Sequence, residues 1–192
     1  MKNIILASAS ERRSRILSEC GIRHEVIKTE IEEIMDRDMD ISDIVRINAE
    51  RKAEAAAAAK EGVIIGADTL VIHNDNIIGK PKDEEEAKTM LRGFSEGEID
   101  VYTGLCVIKG DKKVSGFEKS ALKVISLNDE KVEKLFKLLA PYDKAGGFSI
   151  EGVGSLIFDN INGSYFNILG LPMIKLSELF GEVGLDLADY IE

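Results

Sequence analysis

The chain of 192 residues carries 44% apolar and 31% charged residues, enough aliphatic content to bury a sizeable core and too much for a disordered chain. Thirty-five acidic against 25 basic residues leave a net charge of −10, a surface that repels DNA, RNA and anionic lipid but still allows a local cluster of Arg and Lys to hold a small anion. No apolar run reaches membrane-spanning length, the apolar part of MKNIILASAS is too short for a secretion signal, and two cysteines (Cys20, Cys106) without a CxxC motif fit reduced core thiols in a cytoplasmic protein.

Residues 3–7 (NIILA) predict a short buried strand. Ser10 then caps a helix from Glu11 to about Glu19, with Ile16, Leu17 and Cys20 on its apolar side. Residues 23–28 predict a second strand, and the acidic stretch 29–41, which lacks clean periodicity, a loop. Ser42 is expected to cap a long helix to about Lys60, ended by Gly62. Residues 63–73 (VIIGADTLVIH) read as a long apolar strand, Asn74 to Asn76 as a turn, and 83–92 as a helix capped by Asp83 with Ala87, Met90 and Leu91 inward. Two strands, 99–109 and 112–126, are joined at Gly110-Asp111. Asn128 caps a helix to about Leu139, with Val132, Leu135, Phe136 and Leu139 inward. The glycine-rich stretch 145–170 reads as short strands and tight turns, and Ile174 to Phe180 as a last helix. The sum is an α/β protein with a central mixed sheet, in which the long middle strands fit a second lobe.

Several segments have the residue types that chemistry needs. Ser8 to Arg13 places two hydroxyls and two arginines where a strand gives way to a helix; free amides at a helix start attract an anion, and arginines there oppose the helix dipole unless something neutralises them. A plain serine cap with solvated arginines is the other reading. Asp68, in GADT inside an apolar strand, is a buried acid that must be paired, metal-bound or functional. Lys80 lies in GKP between a strand and a rigid turn, where it can reach phosphates or pair with an acid. Lys52 and Arg51 sit on the long helix, by default a solvated face. Glu32 and Glu33 are oxygen ligands suited to Mg²⁺ or Mn²⁺, or simply a solvated acidic loop. Glycines at 146, 147, 152, 163 and 170 mark unusual backbone or close approach to a ligand. There is no GxxxxGK[ST] phosphate loop. His24 and His73 are too few for a zinc site or a Ser-His-Asp triad, and are expected at strand edges.

In their order along the chain, LASASERRSRIL (6–17), IEE (31–33), ERKA (50–53), GADTLV (66–71), GKPKDEEEAKTML (79–91), YTGL (102–105) and AGGFSIEGVGSLIFDNINGSYFNILGLP (145–172) resemble the Maf family of nucleoside triphosphate pyrophosphatases. The resemblance implies one elongated α/β domain over residues 1–192, related to ITPase-like pyrophosphatases, with two lobes around a cleft. It implies hydrolysis between the α- and β-phosphates with a divalent cation, Mg²⁺ or Mn²⁺. The family's catalytic Asp falls on Asp68, its phosphate- and metal-handling residues on Ser8, Arg13, Glu33, Lys52 and Lys80, and its base-specificity positions on Arg12, Thr69 and Glu151. Arg12 and Thr69 match the dTTP/UTP branch. Glu151 resembles the branch acting on 7-methyl-GTP, because a carboxylate only accepts hydrogen bonds and suits guanine N–H groups. UTP- and dTTP-like pyrimidine nucleotides, modified ones included, rank first; a broad-specificity pyrophosphatase, a non-catalytic regulator of septum formation and a nucleotide-binding sensor are the alternatives, and a homodimer is the implied assembly.

Overall fold

The computed structural model describes residues 3–36, 38–139 and 150–192. Among them the strands β1 (Ile4–Ala7), β2 (His24–Ile27), β3 (Val63–His73), β4 (Asn76–Ile78), β5 (Glu98–Lys109), β6 (Lys112–Val124) and β7 (Phe158–Asn162) form one seven-stranded sheet. Its order is β2-β1-β3-β5-β6-β7, with β4 paired to β3. β1 runs parallel to both β2 and β3, whereas β3–β4 and β6–β7 are antiparallel, so the sheet is mixed, as the sequence predicts. The helices are α1 (Glu11–Glu19), α2 (Ile41–Ala57), α3 (Glu84–Phe94), α4 (Asp129–Leu139), α5 (Tyr165–Ile168) and α6 (Met173–Glu182), and short 3-10 helices cover Gly152–Ile157 and Leu187–Tyr190. No helix among the described residues is long and apolar enough to cross a membrane.

The chain divides into two compact units. The first contains residues up to Thr69, Tyr102–Glu118 and Phe166–Glu192; the second contains Leu70–Val101 and Lys119–Tyr165. The first unit is organised by α2 lying on the sheet. Ile5, Ala7, Ile64, Cys106 and Ile108 from the strands meet Ala49, Ala53 and Ala56 from the helix in one buried cluster. Small residues on both sides bring backbone close to backbone. A Cβ added at Gly66 would stand 2.1 Å from the Ala49 carbonyl oxygen, and one at Gly104 2.2 Å from that of Val45. In the second unit, Ala87, Lys88, Leu91 and Phe94 form the buried side of α3. Lys88 ties α3 to α4 through Glu133 at 2.8 Å and lies over the Phe136 ring, an aliphatic stem buried with its charge satisfied.

The opposite side of α2 carries an ionic ladder. Arg46 pairs with Asp43 and Glu50, and Lys113 with Glu50 and Glu54, while Ser115 donates to Glu50, so the helix is tied to β6 within the first unit. Burial works to raise the Glu50 carboxyl, but the Ser115, Lys113 and Arg46 donors and charges outweigh it and hold the group below its ordinary 4.5. A depressed carboxyl stabilises the fold at pH above its unfolded value and loses that contribution as pH falls through its folded one. Glu50→Gln is therefore expected to lower thermal stability at pH 7 by about 1 kcal/mol, with the gap to wild type closing below about pH 4 in parallel melts.

Local predictions hold where a side chain makes the cap. Ser10 accepts from the Arg13 N–H, Asp83 from Glu86, and Asn128 from Lys131. They are corrected at α2. Asp40, extended at φ −61° and ψ 134°, precedes the helix, and its carbonyl accepts from the N–H groups of Asp43 and Ile44, which leaves Ser42 inside the first turn. The other end stops at Ala57, not Lys60; Ala58 to Lys60 close as turns, and Gly62 (φ +157°) serves the entry to β3 instead. Met90 is half-buried on α3, where Phe94 completes the inner face. Within 150–170 the expected strands reduce to β7, flanked by a 3-10 helix and α5. Gly146 to Ser149 and the Leu139 side chain lie outside the described residues.

Candidate functional site

β1 ends at Ala7, paired with Gly66, so Ser8 lies just past the carboxyl end of β1, and Asp68 and Thr69 follow within β3 just beyond the last parallel pair. That is where open α/β sheets present their ligand groups. Gly66 and Asp68 share one face of β3, since alternate residues do. The close approach of α2 over Gly66 therefore sets Asn48 and Lys52, one helical turn apart, above Asp68.

Asp68 is 4% exposed. Lys52 Nζ donates to its Oδ1 at 2.5 Å and Asn48 Nδ2 to its Oδ2 at 3.1 Å. The same ammonium meets Glu33 Oε1 at 2.7 Å. The Lys52 side chain is 11% exposed and the Glu33 side chain 41%, so the pairing runs from the interior to solvent. Lys52 is therefore no solvated helix face, the default that its helix alone suggests: a long side chain at an inward helical position is buried along its stem, and its charge needs an acid.

Arg13 is the second element. It is 8% exposed, and four of its five N–H groups point at protein oxygens. Nε donates to the Gly170 carbonyl at 2.7 Å, Nη1 to Ser8 Oγ and the Ala67 carbonyl at 3.0 Å each, and Nη2 to Thr69 Oγ1 at 2.8 Å. This supplies a reason for an arginine in the first turn of α1: it is bonded to Ser8 just past β1, to Ala67 and Thr69 in the middle of β3, and to the turn at Gly170. Burial pulls Arg13 down from the ordinary guanidinium value, the charges of Asp68 and Glu33 pull it back up, and the neighbouring charge of Arg12 lowers it further. Its acceptors are neutral, so its positive charge extends over the site.

A chain of hydroxyls continues from Arg13. Thr103 Oγ1 donates to the Asn167 carbonyl at 3.0 Å and also lies 3.0 Å from Thr69 Oγ1. A hydroxyl has one proton, so Thr69 donates to Thr103 and keeps only acceptor capacity for a ligand. Gly170, at φ +95°, adopts a backbone that favours glycine, and an added Cβ would stand 3.1 Å from Thr69 Oγ1.

The structure thus brings Ser8, Arg13, Glu33, Lys52, Asp68 and Thr69 into one array in the first unit, with Arg12 half-buried on α1. Lys80, exposed after β4, and Glu151, half-buried before a 3-10 helix, belong to the second unit. Sequence reasoning missed Asn48, Thr103 and the carbonyls of Ala67, Asn167 and Gly170. Asn48 left a signal, an amide at an inward position one turn before Lys52; the carbonyls left none. The histidines stand apart from the array. The His24 ring bonds Ser14 Oγ and the Ile22 carbonyl, and His73 aims its ring nitrogens at the carbonyls of Glu98 and Gly93. Both cysteines are free thiols; burial pushes Cys106 up to about 12, an inert core group, and Cys20 is half-buried at the end of α1.

A mixed sheet whose long strand β3 carries a buried, lysine-paired acid beside the carboxyl end of β1 defines an α/β protein with a charged array at that edge. The particular family follows from the whole sequence: the chain belongs to the Maf family, whose pattern, described as Maf-like protein, matches residues 3–183. A relative from Clostridioides difficile, named dTTP/UTP pyrophosphatase, is 41% identical over 92% of this chain and 93% of its own. One from Caldicellulosiruptor saccharolyticus with the same name is 37% identical over 97% and 98%. Among solved structures, the Staphylococcus aureus Ham1 protein matches at a TM-score of 0.45 and 16% identity, covering 99% of this chain and 94% of that one.

Proposed function

We propose that this protein is a cytoplasmic hydrolase that converts dTTP and UTP to the monophosphate and pyrophosphate, working as one Maf-like domain and as a homodimer. The observation that carries the reading is the Asp68–Lys52–Glu33 array in a chain 37–41% identical to relatives bearing that activity in their names. Asp68 takes the proton of the attacking water, the new bond forms at the α-phosphorus, and the bond to the bridging oxygen breaks to release pyrophosphate. Lys52 and Arg13 neutralise phosphate charge, which supplies most of the rate gain. Ser8 Oγ, already accepting from Arg13 and from the Ser10 N–H, has a proton to give a phosphate oxygen.

Glu33 and Asp68, converging on one ammonium, also fit a divalent cation that binds through one or two carboxylates and completes its shell with substrate phosphates. Bound there, Mg²⁺ or Mn²⁺ would supply charge neutralisation on the triphosphate. Thr69, left with acceptor capacity, suits the N3–H of uracil or thymine.

A pyrophosphate-release assay with Mg²⁺ on UTP, dTTP, CTP, GTP, 7-methyl-GTP and ATP tests the reading. Release on UTP and dTTP above the others is expected. Release mainly on 7-methyl-GTP would transfer the base preference to the branch that Glu151 resembles. Folded protein that releases none from any substrate overturns the hydrolase.

A further inference from the structure

Asn48 lies on the face of α2 that packs against the sheet, among Ile44, Val45, Ala49 and Ala53, and its side chain is wholly buried at 0% exposed. An apolar residue would fill that position, and an amide there is costly unless every polar atom is paired. All are paired. Oδ1 accepts from the Ile34 N–H at 2.8 Å, and Nδ2 donates one hydrogen to the Ile34 carbonyl at 3.0 Å and the other to Asp68 Oδ2 at 3.1 Å. One side chain thus grips both main-chain groups of Ile34, the residue after Glu33, in a stretch with no regular secondary structure, and reaches from there to the buried acid.

We propose that Asn48 is a positioning residue that sets the Asp68 carboxylate and the Glu33 loop in one fixed array, an inference that rests on Asp68 being the base of the proposed hydrolysis. With Oδ1 held by Lys52 and Oδ2 by Asn48, the carboxylate is fixed about its last bond, and one lone-pair direction on each oxygen is left to accept from a water or hold a cation. Asn48 itself touches neither phosphate nor water in this role. Its loss affects the orientation of the reacting groups, and so the chemical step, more than the affinity for a triphosphate held by cations.

The test compares Asn48→Ala and Asn48→Leu with wild type in steady-state turnover of UTP with Mg²⁺. Asn48→Leu fills the same volume with an apolar side chain, as Ile44 and Val45 do beside it, and removes every side-chain bond, so it decides the matter where Asn48→Ala leaves a cavity and fails to fold. Each folded variant is expected to lose about 10- to 100-fold in kcat with KM changed less than about threefold. In an Asp68→Ala background, adding Asn48→Ala should change the residual single-turnover rate by less than about twofold, because a residue acting through Asp68 has nothing left to act on. A folded variant with kcat close to wild type, or an equal loss in both backgrounds, overturns the proposal. If wild type turns over no nucleotide, the hydrolase reading fails by itself, and positioning is read without substrate: the Asn48 side-chain amide resonances in ¹H–¹⁵N spectra should move on Asp68→Ala, and unmoved resonances overturn it.

Discussion

Asp68→Asn is expected to lower kcat for pyrophosphate release by about 10²- to 10⁴-fold, the range that a positioned base contributes, with the fold intact. The substitution is isosteric, so the packing over Gly66 is kept; the new amide oxygen accepts from Lys52, while its NH2 faces the Asn48 amide donor and one hydrogen bond is lost. It removes the negative charge and the proton acceptor. Removing one partner of a buried ion pair ordinarily costs about 3–5 kcal/mol because the other charge is stranded. Here Lys52 retains Glu33 at 2.7 Å, so the thermal midpoint should move by only a few degrees. Circular dichroism with a thermal melt checks the fold, and steady-state kinetics on UTP checks the loss. Wild-type turnover by Asp68→Asn would remove Asp68 from the base role.

The second large effect is structural. Gly66→Ala puts a Cβ 2.1 Å from the Ala49 carbonyl oxygen and 2.9 Å from both the Ala53 Cβ and the Ala53 nitrogen. Two of these are main-chain atoms, so no side-chain rotation relieves the clash; α2 has to lift from β3. The cost falls at or above the upper end of the roughly 1–3 kcal/mol typical of overpacked interiors, which for a chain of this size lowers Tm by about 6–12 °C. The lift also carries Asn48 and Lys52 away from Asp68, so turnover should fall with stability. Gly93→Ala is the control. It lies within α3 with nothing within 4 Å of an added Cβ, and it should gain about 0.5–1 kcal/mol from the stiffer unfolded chain. A Gly66→Ala variant that melts with wild type would show that the close approach is not structural.

The fold was largely legible in the sequence because its strands carry their own signals. VIIGADTLVIH predicts β3 over its full length, and the serine that caps α1 is the one the structure uses. Asp68 stood out because an acid in an apolar strand violates the expected pattern. The start of α2 was misread because both Asp40 and Ser42 are capping residue types, and only the carbonyl geometry at Asp40 separates them. The acceptors of Arg13 were invisible for a different reason. Backbone oxygens at positions 67 and 170 have no identity in a sequence, and their convergence on one guanidinium depends on tertiary closure. The alanine-rich end of α2 read as more helix than forms, because composition reports propensity and not where the strand must begin.

The bond from Arg13 to Gly170 spans 157 positions. Every stretch of the second unit lies before Phe166, whereas the first unit needs the segment from Phe166 onward to finish. As the chain leaves the ribosome, the second unit's residues are all present while the first still lacks its closing piece. Ser8, Lys52 and Asp68 are made early, but Arg13 must wait for Gly170, and Thr103 for Asn167, before the array locks. A nascent chain therefore carries Ser8, Lys52 and Asp68 without the assembled array until the residues from Phe166 onward have been made.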